Sequence, residues 1–169
     1  MRADLAEVTA LLHQEALLLD EQDWDGWLAL YDEDAEFWMP AWKSETEPTT
    51  DPMRELSMIY YSGRAGLEDR VQRIRSGKSV ASTPLRRTSH MVGNVMLLPE
   101  DPAHANLVRV KSSFNVHVYD TRAKTQHVFF GRTTHGLSRD EANGALRIGR
   151  KKIILVNDCI PTMLDIYCV

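Results

Sequence analysis

Along the first 31 residues apolar side chains recur three or four apart: Leu5, Val8, Leu12, Glu15/Ala16 and Leu19 form the stripe of an amphipathic helix facing a core. Asp23 can cap a short second helix whose buried side is Trp24, Trp27, Leu28 and Tyr31. Asp32-Glu33-Asp34 end that helix before a strand-like run, Ala35 to Met39, closed by Pro40. Residues 43 to 55, polar and interrupted by Pro48 and Pro52, read as a long surface loop of the functional or mobile kind. Leu56 to Tyr61 suits a short strand. Leu67, Val71 and Ile74 mark a third helix, with Asp69 and Arg73 spaced for an i,i+4 pair and Gly77 at its end.

From there the period changes from helix to strand. Ser89 to Leu98, Leu107 to Tyr119, Gln126 to Leu137 and Leu146 to Asn157 are four long segments separated by turn-rich stretches. In the second, Val108, Val110, Ser112, Phe114, Val116 and Val118 alternate with polar residues, the pattern of a strand with one wet face. Hairpin-length loops make the four an antiparallel meander. Helices followed by a long antiparallel sheet predict an α+β layout in which the N-terminal helices cover one face of a curved sheet.

The 169 residues, 43% hydrophobic and 26% charged, show no internal repeat and no break in composition, so residues 1–169 read as a single domain. A chain of this length buries roughly 70% of its unfolded surface and needs neither disulfides nor metals to fold. The net charge of −4, without a clustered basic run, points away from nucleic acid and membrane surfaces and toward small molecules or proteins. No apolar run approaches the ~18 residues of a membrane span, and Met1-Arg2-Ala3-Asp4 lacks a signal peptide's apolar core, so a cytoplasmic location is expected. Cys159 and Cys168 have no Cys-x-x-Cys spacing, which encodes neither a disulfide framework nor a zinc or iron–sulfur site.

Several ordered segments carry a resemblance. They are Trp27 to Tyr31 continuing through Ala35 to Trp42, then Arg54 to Tyr61, Gly66 to Val71 with Arg73-Ile74, Arg87 to His90 with Asn94, and Lys151 to Asp158 with Pro161 to Tyr167. Nearly end to end, the chain resembles the small (β) subunit of Rieske-type aromatic-ring-hydroxylating dioxygenases, in the benzoate, toluate and anthranilate branch. Cys168 departs from the branch, which is expected to carry histidine there. The Ala142 to Ala145 turn lacks a tryptophan that more distant members often carry nearby.

The resemblance implies the cone of nuclear transport factor 2 and ketosteroid isomerase, a curved antiparallel sheet closed by helices. It further implies a non-catalytic subunit that trimerises and holds three catalytic α subunits in register as α3β3. A Rieske [2Fe-2S] cluster and a mononuclear non-haem iron reside in α, fed by NADH through a reductase. The electron leaves the Rieske centre of one α subunit for the iron of its neighbour, so a scaffold that fixes neighbours fixes the transfer path. By the same resemblance, the complex would add both atoms of dioxygen to a benzoate-like acid. The contacts that choose among benzoate, halobenzoate, toluate, anthranilate and salicylate lie mainly in α.

The residues themselves agree with metal chemistry lying elsewhere. Neither cysteine has a histidine within three residues, so the chain holds no Rieske centre. His127 and His135, eight apart on one strand, stand about 26 Å apart at ~3.3 Å per residue, too far to share a metal. His117 and His127 would face each other if their hairpin centred on Arg122, but the pattern places no carboxylate as third ligand. His13 and His104 read as surface residues. His90 admits two readings: a general base in the cone paired with Asp34, as in a stand-alone isomerase or dehydratase, or, with Arg87 and Asn94, a tie between helix ends and sheet or to a neighbouring subunit. The aromatic set reads mostly as core. Trp42, beside the polar loop, is the exception, an exposed anchor for a subunit interface. Subunit-interface candidates are therefore Trp42, Arg87, His90 and Asn94. The helix bearing Arg64, Arg70, Arg73 and Arg75 presents either a solvated face or one meeting a partner's acids.

Overall fold

A computed structural model describes residues 3–78, 83–157, 160 and 164–169. Helix α1 (Leu5–Asp20) starts where the Asp4 carboxylate accepts from the Ala6 N–H, and it buries Val8, Leu11, Leu12, Glu15, Ala16 and Leu19. Leu5 is the member of the predicted stripe that stays exposed. In α2 (Trp24–Leu28) Asp23 does cap, accepting from Gly26 N at 3.0 Å, and Trp24 and Trp27 are buried. The chain then turns to strand earlier than the sequence suggested. Strand β1 (Tyr31–Pro40) includes the acidic triplet, because Glu33 and Asp34 are exposed and the half-buried Asp32 accepts from the Ser138 hydroxyl, beside a buried Tyr31 and Ala35.

β2 (Ser57–Ser62) follows the loop, then α3 (Arg64–Arg75) with the predicted Leu67, Val71 and Ile74 inside, ended by Gly77 at φ +62°. The i,i+4 ion pair on this helix is Arg64–Glu68 rather than Asp69–Arg73. The remaining strands are β3 (Arg87–Leu97), β4 (Val108–Asp120), β5 (Thr125–Arg139) and β6 (Leu146–Leu155), with 3-10 turns at Pro102–His104 and Ile166–Cys168. Among the described residues no helix is long and apolar enough to cross a membrane.

The sheet order is β2-β1-β6-β5-β4-β3. The meander β3 to β6 is antiparallel as predicted, but β1 runs parallel to β6, Phe37 opposite Lys151, so the sheet is mixed. Alternation reports which face a residue takes, not which strand lies beside it. The helices pack against one face, α1 on β3 and α3 on β1 and β2, enclosing a core around Trp27, Tyr31, Phe37, Phe129 and Tyr167. The C-terminal segment closes this core: Ile166, Tyr167, Cys168 and Val169 are buried, Trp24 meets Tyr167 edge to face at 6.1 Å, and Arg70 Nε holds Asp165 Oδ1 at 2.8 Å. Burial pushes the Cys168 thiol up to about 12, an inert side chain; Cys159 lies outside the described residues.

The long loop is internally tied rather than loose. The Glu55 carboxylate accepts from the backbone N–H groups of Thr50 and Asp51 at 2.6 and 3.0 Å, and these bonds hold its pKa down to about 2.

The sheet's tightest point is Gly131, where an added Cβ would stand 2.1 Å from the Ile154 carbonyl oxygen. Gly131→Ala is expected to destabilise the chain by about 3 kcal/mol or more, since backbone rather than a side chain must yield; urea unfolding of the two proteins measures it.

Candidate functional site

Two regions have the makings of a site, the inside of the cone and the uncovered face of the sheet. Inside, α1 turns the one charged residue of its stripe, Glu15, toward β6 and β5. Glu15 Oε1 accepts from Lys151 Nζ at 2.7 Å and from the Tyr31 hydroxyl at 2.5 Å, while His135 Nε2 stands 3.5 Å from Oε2, an electrostatic contact at the limit of hydrogen bonding. Lys151 also lies 5.5 Å above the Phe37 ring. All four residues are at most 5% exposed.

Burial pushes the Glu15 carboxyl up, but the Lys151 ammonium and His135 outweigh it and hold the group far below the carboxylate range. Burial lowers the His135 pKa against the pull of Glu15, so that ring is neutral at pH 7. Burial and the Glu15 charge raise the Tyr31 hydroxyl well above its ordinary 10.0. The cluster is thus one carboxylate neutralised by one ammonium, a structural arrangement with no group poised to exchange a proton near neutrality.

His90 reaches the same interior from β3. Its Nδ1 contacts Asp20 Oδ1 at 2.6 Å, its backbone N–H donates to Oδ2 at 2.8 Å, and Thr88 Oγ1 donates to Oδ1 at 2.8 Å. The last residue of α1 is thereby pinned to the edge strand. Burial raises the Asp20 carboxyl pKa, but the bonds from His90 and Thr88 prevail and lower it.

The anticipated His90–Asp34 pair does not form. Asp34 is exposed on β1, with three strands between it and β3 in sheet order, and the carboxylate beside His90 is Asp20. No local pattern marks Asp20, because its carboxylate lies at the end of a helix, 70 residues from its partner. With its side chain 5% exposed, His90 also faces inward rather than toward a neighbouring subunit. Its free Nε2 borders a void of about 30 Å³ shared with Glu15, His135, Lys151 and Val169. That is room for one water molecule, an order of magnitude below an ordinary ligand pocket.

The other candidates lie apart from this interior. Arg87 is exposed at the start of β3. Asn94 sits in the bulge between Gly93 and Met96 at φ +52°, exposed and out of alternation with His90. Trp42 is half-buried rather than exposed, since its indole N–H donates to the Leu155 carbonyl at 2.8 Å. His117 and His127 point to opposite faces: His117 pairs with Val128 and His127 with Val118, one residue off the register that would oppose them. Among the described residues no group of three His, Cys, Asp or Glu side chains could hold a metal ion. Arg64, Arg70 and Arg75 find acids within the chain, in Glu68, Asp165 and Asp25.

The outer face of the sheet is open. A concavity of about 590 Å³ lies over β4, β5 and β6, walled by the 101–107 segment and Pro48. Arg109, Lys111, Arg132, Arg150 and Lys152 surround it. Arg150 pairs with Glu36 at 2.6 Å, and Lys152 Nζ stands 4.1 Å above the Trp38 ring. Burial and the neighbouring Arg150 lower the Lys152 pKa.

Two predictions come from the interior. Glu15→Leu leaves the Lys151 ammonium buried without its counter-charge and is expected to cost about 3–5 kcal/mol, whereas Glu15→Leu/Lys151→Met recovers a large part; chemical denaturation of the double-mutant cycle checks this. The lowered His135 pKa means that below its ordinary 6.5 the unfolded chain takes up a proton the folded chain refuses. Stability therefore falls as pH drops from 6.5, and the depressed Glu15 adds to the fall below 4.5. His135→Gln should flatten the first limb, and equal slopes in wild type and variant between pH 7 and 5 would refute the assignment.

Comparison with known proteins follows the same lines as the geometry. The family model described as Ring hydroxylating beta subunit matches residues 14–162. The chain is 39% identical over 167 residues to the 2-halobenzoate 1,2-dioxygenase small subunit of Burkholderia cepacia, covering 99% of this chain and 97% of that one. It is 40% identical over 160 residues to the toluate 1,2-dioxygenase subunit beta of Pseudomonas putida, covering 95% and 94%. The crystal structure of the beta subunit of benzoate 1,2-dioxygenase from Burkholderia mallei superposes with a TM-score of 0.78 at 36% identity, covering 100% of both chains. A cone closed by its own C-terminal segment, a match over most of the length and end-to-end identity to three such subunits agree: the chain belongs to the family of ring-hydroxylating dioxygenase beta subunits.

Proposed function

We propose that this chain is the non-catalytic β subunit of a cytoplasmic dioxygenase that cis-dihydroxylates a benzoate-like acid. Three β subunits form a trimer that holds three α subunits in an α3β3 assembly. The α subunits carry the Rieske [2Fe-2S] cluster and the mononuclear iron, and a reductase delivers two electrons from NADH. Dioxygen then contributes both oxygen atoms to adjacent ring carbons, giving a cis-dihydrodiol and NAD+. The observation that carries the reading is near-full-length identity of 39–40% to small subunits whose oxygenases are named for 2-halobenzoate and toluate, both aromatic acids.

The interior favours scaffolding over turnover in this chain, because Glu15, Lys151, His135 and Tyr31 fill the place where a cone enzyme of this fold would bind a ligand. The role of the chain is then to supply surface. Arg87, Asn94 and the accessible part of Trp42 are the interface positions this reading retains.

The test is co-expression with the α partner, native mass spectrometry and iron determination. The expected result is a metal-free trimer of this chain alone and an iron-containing hexamer with α that converts benzoate to its cis-dihydrodiol. Trp42→Ala and Arg87→Ala should each lower the assembled fraction while leaving turnover per assembled hexamer unchanged. A chain that stays apart from α overturns the proposal.

A further inference from the structure

The interior of the cone carries more hydrogen-bonding capacity than its side chains use on one another. Glu15 from α1, His90 from β3, Ser112 from β4, Thr133 and His135 from β5 and Lys151 from β6 all border the void of about 30 Å³. The side chains of His90 and His135 are 5% and 3% exposed. On His90 the ring Nδ1 and the backbone N–H are both taken by Asp20, and Nε2 has no hydrogen-bond partner among the described residues. On His135 Nδ1 has none either, and Nε2 meets only the 3.5 Å approach of Glu15 Oε2. Ser112 and Thr133 stand opposite each other across β4 and β5 and bring two buried residues with hydroxyls to the same wall.

A buried ring nitrogen without a partner bears the full cost of leaving water, so such atoms are rare unless some molecule meets them. Size limits that molecule. One water needs ~10–15 Å³ of such space, whereas an organic ligand takes roughly 300 Å³ or more. Charge limits it as well. Glu15 and Lys151 neutralise each other at 2.7 Å, and Asp20 already accepts from His90 and Thr88, so an ion in the void would find no free counter-charge. A neutral molecule that both donates and accepts satisfies a ring nitrogen whether that nitrogen carries a proton or a lone pair. Dry voids in proteins are walled by apolar groups, and this wall is partly polar.

We infer that the void is a binding site for ordered water, held by the ring nitrogens of His90 and His135 that the chain leaves unmet. The water occupies the space between the Asp20–His90 contact and the Glu15–Lys151–His135 cluster, so solvent rather than an organic ligand completes the interior of the cone. The site lies within this chain and does not depend on an α partner.

The test is a crystal structure of the full chain at a resolution that shows ordered water. The expected result is a water in the void within ~3.2 Å of His90 Nε2 or His135 Nδ1, and no xenon there when the crystals are pressurised with the gas. Ala16, on the α1 wall, gives a second measurement. Ala16→Val carries extra methyl groups into the void. It is expected to lose the water and to lower the thermal midpoint by about 2 °C or more, because the ring nitrogens lose their partner. Xenon in the wild-type void, or a higher midpoint for Ala16→Val, identifies a dry space that apolar atoms fill and overturns the inference. Density there that bonds to neither histidine overturns it too, as does an empty void in a map that shows other buried waters.

Discussion

A carboxylate buried in the apolar stripe of a helix has to be neutralised where it lies, and the architecture follows from how Glu15 meets that demand. Its partner Lys151 is on β6, the strand between β1 and β5, and Tyr31 and His135 come from those two neighbours. One side chain on α1 thus fixes the helix against three adjacent strands. A buried ion pair adds little net stability over an apolar packing of the same shape, because desolvating both charges consumes most of their attraction. What it provides is discrimination: any register of α1 that moves Glu15 away from Lys151 leaves two buried charges unpaired. Asp20, five residues along the same helix, repeats the principle at the edge strand by holding His90 and Thr88.

With Glu15, Lys151 and Tyr31 committed to one another, the interior is filled, and Tyr167, Cys168 and Val169 seal what remains to a void of about 30 Å³. The outer face shows the opposite economy, with cations and apolar side chains left open to solvent that an isolated domain has no reason to collect. A filled inside and an unsatisfied outside are the marks of a part in an assembly, which agrees with membership in a β-subunit family.

Periodicity by itself determined most of the fold: α1 and α3, the Asp23 cap and the four-strand meander, because side-chain spacing is a local property that repeats every 3.6 or 2 residues. Ordered segments such as Ala35 to Trp42 and Arg87 to His90 carried the family, because they persist as sequence whatever they contact. The tertiary structure alone decided the parallel union of β1 with β6, the choice of Asp20 over Asp34 beside His90, the inward anchoring of the Trp42 indole and the one-residue offset that separates His117 from His127. It also turned Glu15 from one position in a helical stripe into the neutralised centre of the cone, and gathered five cations from three strands onto one face. Each of these depends on which distant segments become neighbours. Strand order and register set those neighbours, and a pattern of polar and apolar positions tells a strand which way to face without telling it what to stand beside.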